Sequence, residues 1–157
     1  MATLEDYAIA GQSIWLDFIR RSFMTSGDLQ RLIDLGLRGM TSNPSIFERA
    51  IAHSDDYDFD LTSASAPVSA EEVYKAIVVE DIRAAADHLR SIYDGTQGVD
   101  GYVSLEVSPL LAQDARETVT EARRLAAAVD RPNVMIKGPA TKEGAVAIRE
   151  LIEDGIH

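Results

Sequence analysis

No cysteine occurs in the 157 residues, which excludes disulfides, thiol nucleophiles and thiolate metal sites. Histidine is nearly as scarce. His53, His88 and His157 stand far apart with no metal-ligand spacing, so no metal is expected, and nothing implies a cofactor. Positive charge is in deficit, with 15 Lys and Arg against 26 Asp and Glu. The resulting net charge of −11 argues against a nucleic-acid partner and against acidic lipid. It does not exclude a small anionic substrate, because a pocket can be locally basic in an acidic protein. No apolar run approaches the length of a membrane span. The amino end, Met1 to Asp6, has no basic stretch leading into an apolar one, so a secretory signal is not expected. A cytoplasmic protein is expected, which the lack of cysteine allows without requiring.

What is present begins with four short apolar runs, each ending in a residue that chemistry uses. They are Ser13-Ile14-Trp15-Leu16-Asp17, Gly39-Met40-Thr41-Ser42-Asn43, Tyr102-Val103-Ser104-Leu105-Glu106 and Asn133-Val134-Met135-Ile136-Lys137. Helical patterns separate them. Asp28 or Ser26 starts one carrying Leu29, Leu32 and Ile33, closed by Gly36. Pro44 fits the first turn of the next, with Ile46, Phe47 and Ile51. The acidic stretch from His53 to Ala66 reads as a short helix or an ordered connection. Ser69-Ala70-Glu71-Glu72 is a capping box opening the strongest helix, with Val73, Ile77, Ile82, Ala85, Leu89 and Ile92 on one face. Ser108-Pro109 starts another, with Leu111, Ala115, Val119, Ala122 and Leu125 as its apolar stripe. Thr141 caps the last, whose apolar positions are Ala145, Ile148 and Ile152. Past Gly155, Ile156-His157 reads as the first step of a fifth strand.

This order predicts an α/β fold of parallel strands near 13–18, 39–43, 102–107 and 133–137 with alternating helices, the whole of 1–157 forming one partial domain. In such folds reactive groups gather at the carboxyl ends of the strands. Side chains alternate across a strand, so parity shows which of them share a face. Trp15 with Asp17, Ser104 with Glu106, and Met135 with Lys137 lie opposite the aliphatic positions Leu16, Val103, Leu105, Val134 and Ile136. Asn43 shares the parity of Thr41 and Gly39. The aliphatic face suits packing under helices, and the other suits the inside of a barrel.

A lone strand-end lysine is commonly a solvated residue, but agreement in parity across strands favours a site. Gly138-Pro139 stops the strand and leaves the Lys137 amine at the rim. A single lysine without a metal suggests an amine nucleophile. Gly95-Thr96-Gln97-Gly98 is a turn and not a phosphate cradle. Arg20-Arg21 and Arg123-Arg124 are most simply solvated charges, and Ser13 and Ser108 lack a histidine base.

The runs Ser13 to Phe18, Thr41 to Phe47, Val103 to Pro109 and Pro132 to Lys137 resemble, in order, the first four strand motifs of the transaldolases. The resemblance covers essentially the whole chain and is closest to the long-chain bacterial members, including those fused to a glucose-phosphate isomerase. It implies the first four βα units of a TIM-type (β/α)8 barrel and a class I aldolase chemistry in the non-oxidative pentose phosphate pathway. Lys137 would form a Schiff base with the C2 ketone of a ketose phosphate. Asp17 would take and return the C4-hydroxyl proton, and Glu106 would act through a water during carbinolamine formation and dehydration. Asn43 would hydrogen-bond the dihydroxyacetone unit, with Thr41 and Ser104 lining the same substrate site. Gly138 stands where the family usually carries a larger apolar residue.

The resemblance stops at the family's fourth strand, so the later strands that hold the substrate phosphate would have to come from elsewhere. Four strands cannot close a barrel. The expected remedies are a homodimer of half-barrels, pairing the fourth strand with the partner's first, or a missing carboxyl-terminal half. A non-catalytic scaffold that keeps the strand-end residues as relics, and a class I aldolase that cleaves without transfer, are the alternative readings.

Overall fold

The computed structural model describes residues 3–63 and 69–157. Four strands, β1 (Trp15–Leu16), β2 (Gly39–Met40), β3 (Tyr102–Glu106) and β4 (Val134–Lys137), form one sheet. It is wholly parallel and ordered β1-β2-β3-β4. Successive parallel neighbours joined by helical crossovers are the layout of the first units of a TIM-type barrel.

The ladders are shorter at the β1 side than the sequence suggests. Only two residue pairs join β1 to β2, whereas four join β3 to β4. Single bonds extend the β1–β2 pairing, from the Arg38 N–H to the Ile14 carbonyl and from the Thr41 N–H to the Leu16 carbonyl, both at 2.9 Å.

Eight helices surround the sheet among the described residues: α1 (Leu4–Ile9), α2 (Arg21–Thr25), α3 (Asp28–Asp34), α4 (Pro44–Ala52), α5 (Asp58–Ser63), α6 (Ala70–Gly95), α7 (Ala115–Val129) and α8 (Lys142–Glu153). The Ser69–Glu72 capping box opens α6 as the sequence indicates, satisfying donors that the first helical turn leaves free. Its inner face buries Ile82, Ala85, Ala86 and Leu89 against Met40, Val103, Leu105 and Val107. Full burial of each Leu, Ile or Val contributes about 1.5–3 kcal/mol, so this α6–sheet layer dominates the packing. Asn133 sets the start of β4. Its buried amide donates at 2.8 Å to the carbonyls of both Ala86 and Gly101, tying the strand to α6 and to the head of β3.

Three sequence expectations need correction, and one helix went unread. A second capping box, Thr3 with Asp6, starts α1, which the strand-centred reading passed over. Ser108-Pro109 opens only a 3₁₀ turn, Pro109–Leu111, and α7 begins six residues later behind Asp114, whose side chain accepts from the Glu117 N–H. The sequence offered two N-caps in seven residues, and the one followed by proline makes the shorter element. The buried face of α8 is Gly144, Ala147 and Leu151, while Ala145, Ile148 and Ile152 face outward. Gly144 fixes that phase, because any Cβ there would fall on the Pro139 carbonyl. Arg21, finally, is far from solvated, as described below. The acidic stretch resolves into a 3₁₀ turn, Asp55–Tyr57, followed by α5, with 64–66 outside the described residues.

Ile156 and His157 run along the outer edge of β4. The Ile136 N–H donates to the His157 carbonyl at 2.7 Å, the bond a fifth strand would make. No described helix is long and apolar enough to cross a membrane, and no group of three His, Asp or Glu among the described residues could hold a metal ion.

Candidate active site

The β3–β4 register sets Glu106 directly opposite Lys137, and Ser104 opposite Met135. Because Val103, Leu105 and Val107 turn into the helical layer, Ser104 and Glu106 must project from the other face, with Lys137 beside them. The Lys137 Nζ lies 3.2 Å from Glu106 Oε2 and donates at 3.3 Å to Thr41 Oγ1. Ser104 Oγ donates to the same Thr41 oxygen at 2.9 Å. Thr41 Oγ1 therefore accepts twice, and its own hydroxyl hydrogen remains available for donation. The Lys137 and Glu106 side chains are about one-third exposed (35% and 32%), open enough for a small molecule to reach the amine.

Asn43 is held by local helix chemistry. It is the N-cap of α4, its Oδ1 accepting from the Ile46 N–H at 2.9 Å with Pro44 following at the first helical position. Its oxygen is thus occupied and its NH2 group is left to donate. Ser42, fully buried, donates from Oγ to the Ser104 carbonyl at 2.7 Å and clips the end of β2 to β3.

Asp17 stands apart. It follows β1 directly and is exposed. No hydrogen bond or ion pair joins it to Lys137, Glu106, Asn43 or any other described residue. Of the six site residues expected from sequence, four (Lys137, Glu106, Thr41 and Ser104) form one contiguous network. Asn43 sits at the same rim through its cap, and Asp17 is placed there by strand position alone.

Two clusters went unread in the sequence. On the inner face, the Trp15 ring lies against Gly39, where any Cβ would meet the indole. The Trp15 Nε1–H donates to Ser13 Oγ at 3.0 Å, and Ser13 in turn donates to the Asp100 carboxylate. Behind the loop that leaves β1, Arg21 Nε donates at 3.0 Å to Asp81 Oδ1, and the guanidinium also pairs with Asp60. Tyr57 donates at 2.7 Å to Asp81 Oδ2 and accepts from the Arg21 N–H at 3.2 Å. Asp81 and Tyr57 are both buried. Burial pushes the Asp81 carboxyl up, against the lowering pull of Tyr57 and Arg21. Burial, then the Asp81 hydrogen bond, raise the Tyr57 hydroxyl. Burial alone would lower the Arg21 guanidinium, but Asp60 and Asp81 outweigh it and hold it raised. One trace of this cluster was visible: Asp81 falls between Ile77 and Ala85 on the apolar stripe of α6, where a lone acid needs a partner.

Glu106 also borders a cavity of about 470 Å³ on the helical side of the sheet, walled by Phe47, Tyr74, Val78, Leu105 and Leu125. It is a gap among α4, α6, α7 and the 3₁₀ turn at Pro109, bordered also by Asn43 but not by Lys137.

Parallel strands with their polar groups collected at the carboxyl ends define the class: an α/β protein built of the first βα units of a TIM-type barrel, with a lysine–glutamate pair at its strand ends. Residues 14–157 match the transaldolase/fructose-6-phosphate aldolase family, and the chain belongs to that family. A transaldolase of Thermobifida fusca is 50% identical over 155 residues, covering 98% of this chain and 42% of the relative. A transaldolase of Trichodesmium erythraeum is 45% identical over 149 residues, covering 94% of this chain and 39% of the relative. One from Neisseria gonorrhoeae is 45% identical over 157 residues, covering 99% and 45%. The chain thus spans 39–45% of the length of these relatives.

Proposed function

We propose that this chain carries the lysine-bearing part of a transaldolase site, which moves a three-carbon ketol unit from a ketose phosphate to an aldose phosphate through a Schiff base. The observation that carries the reading is the Lys137 amine held between Glu106 and Thr41 at the ends of registered strands. An amine must shed a proton before it attacks, and a carboxylate 3.2 Å away can accept one. The neutral amine adds to the C2 carbonyl, whose oxygen gains a proton, giving a carbinolamine. Glu106, through a water, returns a proton to that hydroxyl, which leaves as water, and the C2 iminium remains.

Asp17 then removes the C4-hydroxyl proton. The C3–C4 bond breaks, its electron pair forms the enamine, and the shortened aldose phosphate departs. The enamine carbon attacks the aldehyde of an incoming aldose phosphate, Asp17 returns its proton, and hydrolysis frees Lys137. The Asn43 amide and the Thr41 hydroxyl donate to the hydroxyls of the bound three-carbon unit, with Ser104 orienting Thr41. The setting is the non-oxidative pentose phosphate pathway of the cytoplasm, with sedoheptulose 7-phosphate or fructose 6-phosphate as donor.

The rest of the barrel has to be supplied. The bond from the Ile136 N–H to the His157 carbonyl favours a strand continuing beside β4 over a homodimer that pairs β4 with the partner's β1. The outward Ile148 and Ile152 of α8 offer apolar surface to the unit that would follow.

Borohydride trapping with fructose 6-phosphate, followed by intact mass and peptide mapping, tests the reading. The expected result is a stable adduct on Lys137 that disappears in Lys137→Ala. A folded chain that forms no adduct would overturn it and leave the scaffold reading. Release of dihydroxyacetone without an acceptor would mark a cleaving aldolase instead.

A further inference from the structure

We propose that the buried cluster of Arg21, Tyr57 and Asp81 is the positioning device of the Asp17 carboxylate, holding the chain that leaves β1 so that this group meets the C4 hydroxyl once the Schiff base has formed. The inference rests on the function proposed above and gives a role to three residues which that function does not use. Asp17 is exposed and follows β1 directly. With no side-chain partner among the described residues, it takes its place from the backbone alone. That backbone is tied on both sides of it. The Leu16 carbonyl accepts from the Thr41 N–H at 2.9 Å, Ile19 is buried in the core, and the Arg21 N–H donates to the Tyr57 hydroxyl at 3.2 Å. Asp17 and Phe18 are thus a two-residue span between a strand bond and a core side chain.

The start of α2 is located from outside and not closed on itself. Its N-cap position holds Arg20, which makes no side-chain cap bond. A Ser or Asp there would satisfy the free N–H groups locally. They are taken instead by residues of other elements, the Arg21 N–H by Tyr57 and the Ser22 N–H by Asp56 at 2.8 Å. The Arg21 side chain adds bonds to Asp81 on α6 and Asp60 on α5, and Tyr57 donates to Asp81. An apolar residue at 81 would continue the buried stripe of α6 without the cost of desolvating a charge. What the polar cluster adds over an apolar contact is direction. Hydrogen bonds weaken steeply as they tilt, so they hold the orientation of the turn as well as its depth. Proton transfer needs its partners within hydrogen-bond reach, and a misplacement of about 1 Å costs on the order of 10²-fold in rate. Lys137, Glu106 and Thr41 stand on the ends of β4, β3 and β2 instead. The cluster therefore bears on bond cleavage and not on Schiff-base formation.

The mass of the trapped adduct separates the two steps. Before cleavage, borohydride reduces the C2 iminium to a six-carbon phosphate adduct on Lys137. After cleavage the aldose phosphate has left with C4 to C6, the enamine C3 takes up a proton, and the three-carbon iminium is reduced instead. The experiment mixes the chain with fructose 6-phosphate, adds borohydride at successive times and follows both adducts by intact mass and peptide mapping. Tyr57→Phe removes one hydroxyl and both its bonds but keeps the ring. It is expected to leave the total adduct within about twofold of the parent and to slow conversion of the six-carbon to the three-carbon adduct about tenfold or more. Asp56→Ala loosens the same turn from a less buried position and is expected to slow conversion about threefold. Val129→Ala, in the core at the end of α7, lowers stability without touching the turn and is expected to leave the conversion rate as it is. Conversion at the parental rate in Tyr57→Phe, or in Asp56→Ala if the former does not fold, overturns the positioning role. An equal loss of both adducts also overturns it, since a cluster that only supports the fold would give that result. A parent chain that traps the six-carbon adduct alone overturns the positioning role and leaves the Schiff-base site standing. The lack of any adduct in the folded parent chain overturns both.

Discussion

The two sides of the strand-end rim are built differently. From β2 to β4, Thr41, Ser104, Glu106 and Lys137 touch one another, because a four-pair ladder and the Ser42 clip fix their spacing. At β1, Asp17 touches none of them, and its strand is held by two pairs. The loop that follows β1 is instead anchored from behind, where Arg21 reaches the buried Asp81 and Tyr57. The groups proposed for Schiff-base formation are thus positioned by strand register. The group assigned to the later bond cleavage depends on a loop and on packing outside the sheet.

Removing the amine breaks the comparison most completely: Lys137→Ala should abolish the borohydride adduct while the fold persists, checked by mass and circular dichroism. Asp17→Asn should separate the two sides, leaving the adduct on Lys137 but slowing release of the aldose phosphate by about 10²-fold or more, read by single-turnover quench. If the adduct is lost as well, the division of labour across the rim is wrong. Asp81→Ala attacks the anchor behind β1. It leaves the buried Tyr57 hydroxyl without its acceptor and Arg21 with Asp60 and Glu80 only, at a cost of about 2 kcal/mol in urea unfolding, because a buried donor goes unsatisfied. A shift below about 0.5 kcal/mol would mean the anchor carries no weight.

The smallest effect is on acid stability. Asp87, held below the usual carboxylate range chiefly by its hydrogen bond to Arg131, stabilises the fold above that range and loses its contribution as pH falls through it. Asp81, raised by burial, has the opposite sign: its contribution is greatest at low pH and declines as pH rises. Asp87→Asn should therefore flatten the decline in thermal midpoint between about pH 5 and pH 3, by roughly 0.5 kcal/mol, since the pair is largely exposed.

Strand order, parallel pairing and the inward parity of Thr41, Ser104, Glu106 and Lys137 were all legible in the sequence, because period-two alternation and strand-end chemistry are local patterns. The α7 start was not, since Ser108-Pro109 and Asp114 are both sound caps and only the path of the chain chooses between them. The phase of α8 was misread because Ile148 and Ile152 are its larger apolar side chains, whereas the contact with Pro139 admits only the small Gly144 side. Arg21 looked like surface charge because its partners, Tyr57, Asp60 and Asp81, lie 36 to 60 residues away. Asn43 was assigned to substrate, and its oxygen also starts a helix, so one residue answers to two demands.

Gly144 gives the rim a mechanical property. Its contact with the Pro139 carbonyl joins the first turn of α8 to the segment two residues beyond Lys137, with no intervening side chain to act as a cushion. Backbone against backbone yields little, so the strand end that holds the amine and the helix behind it should open and close as one unit. In hydrogen-exchange experiments the amides of 134–137 and the first turns of α8 should share a single protection factor, and a larger residue at 144 should split it.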